Sequence, residues 1–374
     1  MSDKPKPVSV LFAAGGTGGH LFPALAIAEE IKKIRPDARI DFVGTKKKIE
    51  ARIVPEKGFA FHTIWISGFH RRLAAENVLF PVKVVVALVQ SFFLIRKLRP
   101  AVVVGTGGYM CWPVLTAASW MDIPTAVHES NSYPGVATRA LAPKVSKVFL
   151  TFEATKQWLP KPDATNLELV GNPTRESLGS VSREEGARFF DLQPEKKTIL
   201  VFGGSLGAAA INSAVENIAG ELTRLDIQII WQTGDKDLER YESKRSPAVW
   251  VGKFIDRMEC AYAAADAVLC RSGATTLAEL TRLGKPAILA PYPHAAANHQ
   301  EFNAQTLVDA GAAVMVKDAD LPAKALSAIK EILLNDGKRR AMAEKSLRLG
   351  KPEAGKEIAK KVLALGRSTI EQQQ

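Results

Sequence analysis

Two glycine-rich turns, about half a chain length apart, constrain what this sequence can fold into. The first reads Ala13-Ala14-Gly15-Gly16-Thr17-Gly18-Gly19-His20, the second Phe202-Gly203-Gly204-Ser205-Leu206-Gly207-Ala208. Each follows a β-branched run (Val8 to Phe12; Thr198 to Phe202) and leads into a helical pattern (Leu21 to Ile34; Ala209 to Leu222). Glycine at such a junction permits positive φ and lets a ligand approach the backbone closely. The free amides and partial positive charge of the helix start then favour a phosphate. Neither turn spells a common nucleotide motif. G-x-G-x-x-G from Gly16 would need glycine where Leu21 stands, and no Gly-Lys-Ser/Thr occurs. One device used twice implies two similar domains, which suits a chain of 374 residues.

The net charge of +11 is uneven. Residues 1–172 carry 22 Lys and Arg against 13 Asp and Glu, and the remainder carries 28 against 26. A basic first half suits an anionic partner: phosphates, acidic lipid headgroups or nucleic acid. Nucleic acid is not expected, because the basic residues are not interleaved with aromatics. Three cysteines, Cys111, Cys260 and Cys270, are too few for a disulfide framework or a zinc site and fit a reducing compartment. Met1 to Pro7 is short and polar, so no secretory leader is read there. Val78 to Ile95 is nearly all apolar, but Pro81, Lys83, Gln90 and Ser91 interrupt it. A spanning helix needs about 20 predominantly apolar residues. The stretch is read as a helix packed in the first domain, with one end at a membrane surface.

Short apolar runs alternate with helical patterns through both halves. In the first, strands are expected at Arg39–Val43, Phe61–Ile64, Ala101–Val104, Thr125–His128 and Lys147–Thr151, with helices near Val82–Lys97, Pro113–Met121 and Gly135–Leu141. Residues 160–175, with Pro160, Pro162 and Gly171-Asn172-Pro173, read as a linker. The second half restarts the pattern, with strands at Gln228–Gln232, Ala248–Gly252, Ala267–Cys270, Ala287–Ala290 and Ala313–Val316. Such alternation predicts an α/β fold of two doubly wound, Rossmann-like parallel sheets covered on both faces. Ligands of such sheets bind beyond the strands' carboxyl ends, where all the glycine turns lie. The two loop edges are expected to face each other across a cleft.

In the second half, Gly203 to Gly207 offers amides to a diphosphate and Ser205 adds a hydroxyl. Ser272-Gly273-Ala274-Thr275-Thr276 opens another helix. Glu279, one turn on, suits the paired hydroxyls of a ribose, or is a solvated helix Glu. Asn298 and Gln300 suit sugar hydroxyls, or Asn298 is an ordinary N-cap. Arg175 is the best-placed cation for a departing diphosphate. Asp235-Lys236-Asp237 has the spelling of a metal motif but lies away from the glycine turns. Neither metal nor other cofactor is expected. In the first half, His20 follows the glycine turn, and His128 and Glu129 end a strand beside Asn131. A base with pKa near working pH could deprotonate an attacking hydroxyl. The sequence favours His20 but leaves His128 and Glu129 open.

GGTGGH at 15–20, GTGGY at 105–109, HESN at 128–131, GNPTR at 171–175, GGSLGA at 203–208, FID at 254–256, CRSGATTLAEL at 270–280 and the NHQ loop with Asn303 stand in this order through nearly the whole chain. As a set they resemble the MurG family of bacterial peptidoglycan transferases. The resemblance implies a GT-B glycosyltransferase with an N-terminal acceptor and membrane-associating domain at 1–172 and a UDP-sugar domain at 173–349. A C-terminal helix at about 350–370 would pack back on the first domain. It implies inverting transfer of N-acetylglucosamine from UDP-GlcNAc to the C4 hydroxyl of undecaprenyl-diphosphate-MurNAc-pentapeptide, turning lipid I into lipid II. By motif position the donor contacts are Thr17, Gly18, Gly19, Asn131, Arg175, Ser205, Ile255, Ala274, Thr275, Thr276, Leu277, Ala278, Glu279 and Gln300. The lipid diphosphate falls to Gly15, Gly16, Gly107, Gly108 and Tyr109. The family places such a chain on the cytoplasmic face of the bacterial inner membrane as a peripheral protein, in contact with other cell-wall synthesis proteins. Its apolar patch would here be Leu73, Val78, Leu79, Phe80 and Trp112, ringed by Arg71, Arg72 and Lys144. Ser130, where Gln is common in the family, and Ala295-Ala296-Ala297, where polar residues are frequent, depart from the pattern. A related glycolipid transferase, a UDP-GlcNAc 2-epimerase and a non-catalytic binding module are the alternatives.

Overall fold

The computed structural model of the chain describes residues 7–68 and 79–372. The chain divides into two units, Met1–Pro173 with Pro352–Gln374, and Thr174–Lys351.

The first unit runs β1 (Ser9–Ala13), α1 (Gly18–Ile34), β2 (Arg39–Gly44), α2 (Glu50–Glu56), β3 (Ala60–Thr63), α3 (Phe80–Leu98), β4 (Val102–Gly105), α4 (Cys111–Trp120), β5 (Thr125–Glu129), α5 (Val136–Leu141), β6 (Lys147–Leu150) and β7 (Leu167–Leu169). Its seven strands are parallel, in the order β3-β2-β1-β4-β5-β6-β7. Strands buried on both faces need apolar residues at every position rather than alternation. The central pair meets this: Val10, Leu11, Phe12 and Ala13 lie beside Val102, Val103, Val104 and Gly105, all fully buried.

The second unit runs α6 (Arg183–Phe189), β8 (Lys197–Phe202), α7 (Ala209–Arg224), β9 (Ile227–Gln232), α8 (Leu238–Tyr241), β10 (Val249–Gly252), α9 (Met258–Ala264), β11 (Ala267–Cys270), α10 (Ala274–Arg282), β12 (Ala287–Leu289), α11 (His299–Asp309), β13 (Ala313–Met315), α12 (Leu321–Leu333) and α13 (Asp336–Leu349). Its sheet is parallel in the order β10-β9-β8-β11-β12-β13. The chain then returns as α14 (Ala354–Gln372), whose Ile358, Ala359, Val362 and Leu363 join the core under β1 and α1.

In each sheet the strand order reverses once beside the first strand: between β1 and β4, and between β8 and β11. Doubly wound sheets open a crevice at that reversal. The glycine turns after β1 and β4 occupy the first reversal, and those after β8 and β11 the second.

Several elements depart from the sequence reading. The first helix begins at Gly18 rather than Leu21, with Thr17 extended at the N-cap (φ −144°). Two of the turn's glycines are therefore helical, and their amides belong to the first turn of α1. The expected linker at 160–175 contributes the edge strand β7. Helices α2 and α6 were not expected. Each has only seven residues, too short for a helical period to stand out. Helix α3 buries the i, i+4, i+8 row Ala87, Ser91 and Ile95 and leaves Val82, Val85, Val89 and Phe93 exposed. Among the described residues no helix is long and apolar enough to cross a membrane. Of the expected membrane patch, Arg71, Arg72, Leu73 and Val78 lie outside the described residues.

Candidate active site

At the first unit's reversal, Gly107 and Gly108 make room for a side chain. A Cβ on Gly107 would lie 2.7 Å from Cδ2 of His20, and one on Gly108 3.2 Å from His20 Nδ1. Both glycines have positive φ (95° and 86°). The His20 ring thus lies against the second glycine turn, with Nδ1 3.2 Å from the Thr17 hydroxyl. The Thr106 hydroxyl donates to the His20 carbonyl at 2.7 Å and ties the start of α1 to the end of β4. Tyr109 lies over the first turn: a Cβ on Gly16 would meet its ring at 3.4 Å.

The backbone amide of Gly16 is already engaged, which the sequence did not indicate. It donates to the Glu50 carboxylate at 2.9 Å. That amide is not free for a phosphate, which corrects the expected diphosphate contact through the Gly16 amide.

His128 and Glu129 have internal partners as well. His128 is fully buried, with Nε2 3.0 Å from the Gly171 carbonyl and Nδ1 3.5 Å from the Ser130 hydroxyl. Burial lowers its pKa and keeps the ring neutral, and the Gly171 carbonyl and Glu129 oppose this only in part. No substrate hydroxyl reaches a ring so enclosed, so His128 is withdrawn as a candidate base. Glu129 accepts from the Asn131 amide at 3.0 Å, the Asn131 side chain at 3.2 Å and the Gly135 amide at 3.0 Å. It shapes the loop that carries Asn131. His20 keeps the most open position of the three.

In the second unit the glycines after β8 have separate tasks. A Cβ on Gly207 (φ 76°) would lie 2.0 Å from the Thr233 carbonyl, so this residue is needed for close packing of two loops. A Cβ on Gly204 (φ 94°) would meet nothing within 4 Å, nor would one on Gly273, the N-cap of α10. Those two positions leave open approaches to the starts of α7 and α10. Ser205 is exposed, while Ala274 and Leu277 are buried and Thr275, Thr276 and Ala278 partly so. The Ser272 hydroxyl donates to the Gln300 carbonyl at 2.7 Å, and Gln300 Oε1 accepts from the Tyr292 amide at 3.0 Å.

Glu279 is 3% exposed. Tyr262 donates to its Oε2 at 3.0 Å, and Arg175 Nε lies 3.2 Å from its Oε1. That ion pair is too poorly aimed to be a hydrogen bond, so Oε1 is a buried acceptor with none. Burial raises the pKa of Glu279, against the opposing pull of Arg175 and then Tyr262. The segment that carries Arg175 is itself held by Arg282. Arg282, at the end of α10, donates to the Thr174 hydroxyl at 2.8 Å and to the Arg175 carbonyl at 3.1 Å.

Gln232 and Arg282 were missed in the sequence. Buried Gln232, at the end of β9, donates to the Gly204 carbonyl at 2.9 Å and accepts from the Ile255 amide at 2.9 Å. The Ile255 amide is thus engaged within the protein and its side chain is buried, so a donor contact at this position falls to its carbonyl. A polar residue ending an apolar strand was the one available signal. Asp237 accepts at 2.8 Å from buried Asn212, which gives the 235–237 segment a structural part. Asn298 occupies the N-cap of α11 in a left-handed conformation (φ 55°) without a capping bond, and donates instead to Glu301 at 2.7 Å. Among the described residues no three His, Cys, Asp or Glu side chains are grouped to hold a metal.

Residues 10–150 match the glycosyltransferase family 28 N-terminal domain, and residues 198–362 the family 28 C-terminal domain. The UDP-N-acetylglucosamine–N-acetylmuramyl-(pentapeptide) pyrophosphoryl-undecaprenol N-acetylglucosamine transferase of Chlorobaculum parvum is 44% identical, over 96% of this chain and 100% of the relative. The transferase of the same description from Salinibacter ruber is 42% identical, over 95% of this chain and 96% of its own length. Among solved structures, Acinetobacter baumannii MurG matches with a TM-score of 0.77 at 28% identity, over 96% of this chain and 100% of that one. A UDP-N-acetylglucosamine 2-epimerase matches at 0.62 with 16% identity, over 94% and 95% of the chains, which is a likeness of fold.

Proposed function

The chain belongs to glycosyltransferase family 28, among its UDP-N-acetylglucosamine–N-acetylmuramyl-(pentapeptide) pyrophosphoryl-undecaprenol N-acetylglucosamine transferases, and from that premise we propose how its two units divide the work. It transfers N-acetylglucosamine from UDP-GlcNAc to lipid I, giving lipid II, with the two GT-B sheets as its scaffold.

The second unit takes the donor. The observation that carries this is the buried Oε1 of Glu279, which lacks a hydrogen bond and lies one turn inside α10. A ribose hydroxyl supplies the donor that this oxygen lacks. The diphosphate then falls to the open start of α10, from Ala274 to Thr276, and to Ser205. Helix-terminal amides there stabilise the charge that develops on the leaving UDP, by about 0.3–1 kcal/mol for an exposed helix end and more where water is excluded.

The first unit takes the acceptor. Glu50 already holds the Gly16 amide, so Thr17, Gly18 and Gly19 move from the donor, where the resemblance set them, to the acceptor: its diphosphate sits there and on Gly107, Gly108 and Tyr109. His20 receives the proton of the C4 hydroxyl as that oxygen attacks C1, which inverts the anomeric centre. General-base catalysis of this kind contributes about 10²–10⁴-fold.

The exposed face of α3, Val82, Val85, Val89 and Phe93, followed by Arg96, Lys97 and Arg99, supports docking on the anionic cytoplasmic leaflet. Each basic residue near such a surface is worth about 1 kcal/mol.

The test is an assay of UDP release with UDP-GlcNAc and either lipid I, diacylglycerol or no acceptor. Lipid II formation with lipid I alone supports the reading. Transfer to diacylglycerol would favour a glycolipid transferase, and UDP-N-acetylmannosamine formed without lipid would favour a 2-epimerase.

A further inference from the structure

We propose that Glu50 is a positioning residue for acceptor transfer, holding from beneath the glycine turn that sets Thr17 and His20. The inference rests on the reading that the first unit takes the acceptor.

Glu50 is the first residue of α2 and is fully buried. A buried carboxylate is costly unless hydrogen-bonded or paired. No cation pairs with it among the described residues. Three donors satisfy it: the Gly16 amide at 2.9 Å, the Thr45 amide at 3.1 Å and the Thr45 hydroxyl at 2.7 Å. Two glycines are shaped around it. A Cβ on Gly15 would lie 2.4 Å from Glu50 Cδ, and one on Gly44 2.7 Å from Glu50 Cγ. The first glycine turn therefore closes over a side chain of its own unit.

The contacts join three strand ends. Thr45 follows β2, Gly16 follows β1, and the ring of Tyr109, beyond β4, lies over Gly16, where a Cβ would meet it at 3.4 Å. Thr17 comes directly after the residue that Glu50 grips, and its hydroxyl stands 3.2 Å from His20 Nδ1. Displacing the Gly16 amide moves the N-cap of α1 and with it the imidazole. Misplacing a reacting group by about 1 Å can cost 10²-fold in rate.

Glu50→Gln keeps the size but offers the Gly16 amide an NH₂ group, or turns that group on Thr45. Thr45→Val removes the hydroxyl, and Thr45→Ser keeps it. Each is measured as full-length protein, well below its melting temperature, with UDP-GlcNAc and lipid I varied separately. We expect Glu50→Gln to lose at least about tenfold in kcat/KM for lipid I, with the KM for UDP-GlcNAc within about twofold of wild type. Thr45→Val should lose in the same direction and Thr45→Ser should recover. A role in folding alone would lower the melting temperature without this split. Folded Glu50→Gln with wild-type kinetics, or equal losses in Thr45→Val and Thr45→Ser, would overturn the proposal. If Glu50→Gln does not fold, the Thr45 pair decides. Gly107→Ala separates the two levels of the argument, because its Cβ would strike His20. Unchanged lipid I kinetics there would refute acceptor binding by the first unit, and the Glu50 role with it. Impaired Gly107→Ala beside normal Glu50→Gln would refute the Glu50 role only.

Discussion

Arg175 Nε stands 3.2 Å from Glu279 Oε1, yet that buried oxygen accepts no hydrogen bond. The pair holds an acceptor ready for a ligand while leaving it unsatisfied. Burial raises the pKa of Glu279. The folded state therefore binds its proton more tightly than the unfolded state, and stability falls as pH rises through the carboxylate range. Glu279→Gln should relieve this cost at neutral pH. We expect the ligand-free variant to be more stable by about 0.5–2 kcal/mol, read by thermal melting, with the gain shrinking as pH falls. The KM for UDP-GlcNAc should rise about tenfold or more, as a charge-assisted hydrogen bond is lost.

His20 and His128 should separate cleanly. His20→Ala should lower kcat by about 10²–10⁴-fold and leave donor binding, measured by calorimetry, near wild type. His128→Gln should instead cost about 1–3 kcal/mol of stability, because the Gly171 carbonyl loses its buried partner. The pH dependence follows from the lowered pKa of His128. The unfolded chain protonates this ring and the folded chain resists, so its contribution is complete above the ordinary histidine value of about 6.5 and is lost as pH falls below it. Wild type should therefore lose melting temperature on acidification faster than His128→Gln does.

Gln232→Leu removes both bonds that join the Gly204 carbonyl to the Ile255 amide. Each backbone group left buried and unpaired costs about 1–3 kcal/mol. We expect a lower melting temperature and weaker UDP binding, with lipid I KM unchanged. Steady-state kinetics with each substrate varied in turn checks this.

Phe93→Glu and Val85→Glu place a charge on the exposed apolar row of α3 without touching its buried row. Sedimentation with vesicles rich in anionic lipid should show binding reduced about tenfold or more, as apolar contact is lost and like charge is added. Turnover on a detergent-dispersed, short-chain acceptor should remain.

The strand-and-helix alternation was legible because each strand of a covered parallel sheet is a nearly continuous apolar run, as Val102 to Val104 illustrates. The glycine turns marked carboxyl ends of strands, and the pairing then set them at both strand-order reversals. The position of Glu279, one turn inside a glycine-led helix, was legible as well. The residues that hold these groups were not. Gln232 acts on loops after two other strands, Arg282 on a segment about a hundred residues earlier in sequence, and Glu50 on a turn of the neighbouring strand. Their partners become neighbours only when the sheet forms. The periodic pattern records which face is buried, not which loop ends meet. His128 misled for the same reason: a histidine ending a strand reads alike whether the loop above it is open or, as here, closed by Gly171 and Ser130.

The most direct measurement is a crystal structure of the full-length protein with UDP-GlcNAc bound. The account predicts a ribose hydroxyl within about 2.5–3.0 Å of Glu279 Oε1, with the diphosphate on the amides that open α10. A nucleotide seated away from Glu279, with Oε1 still lacking a hydrogen bond, would contradict it.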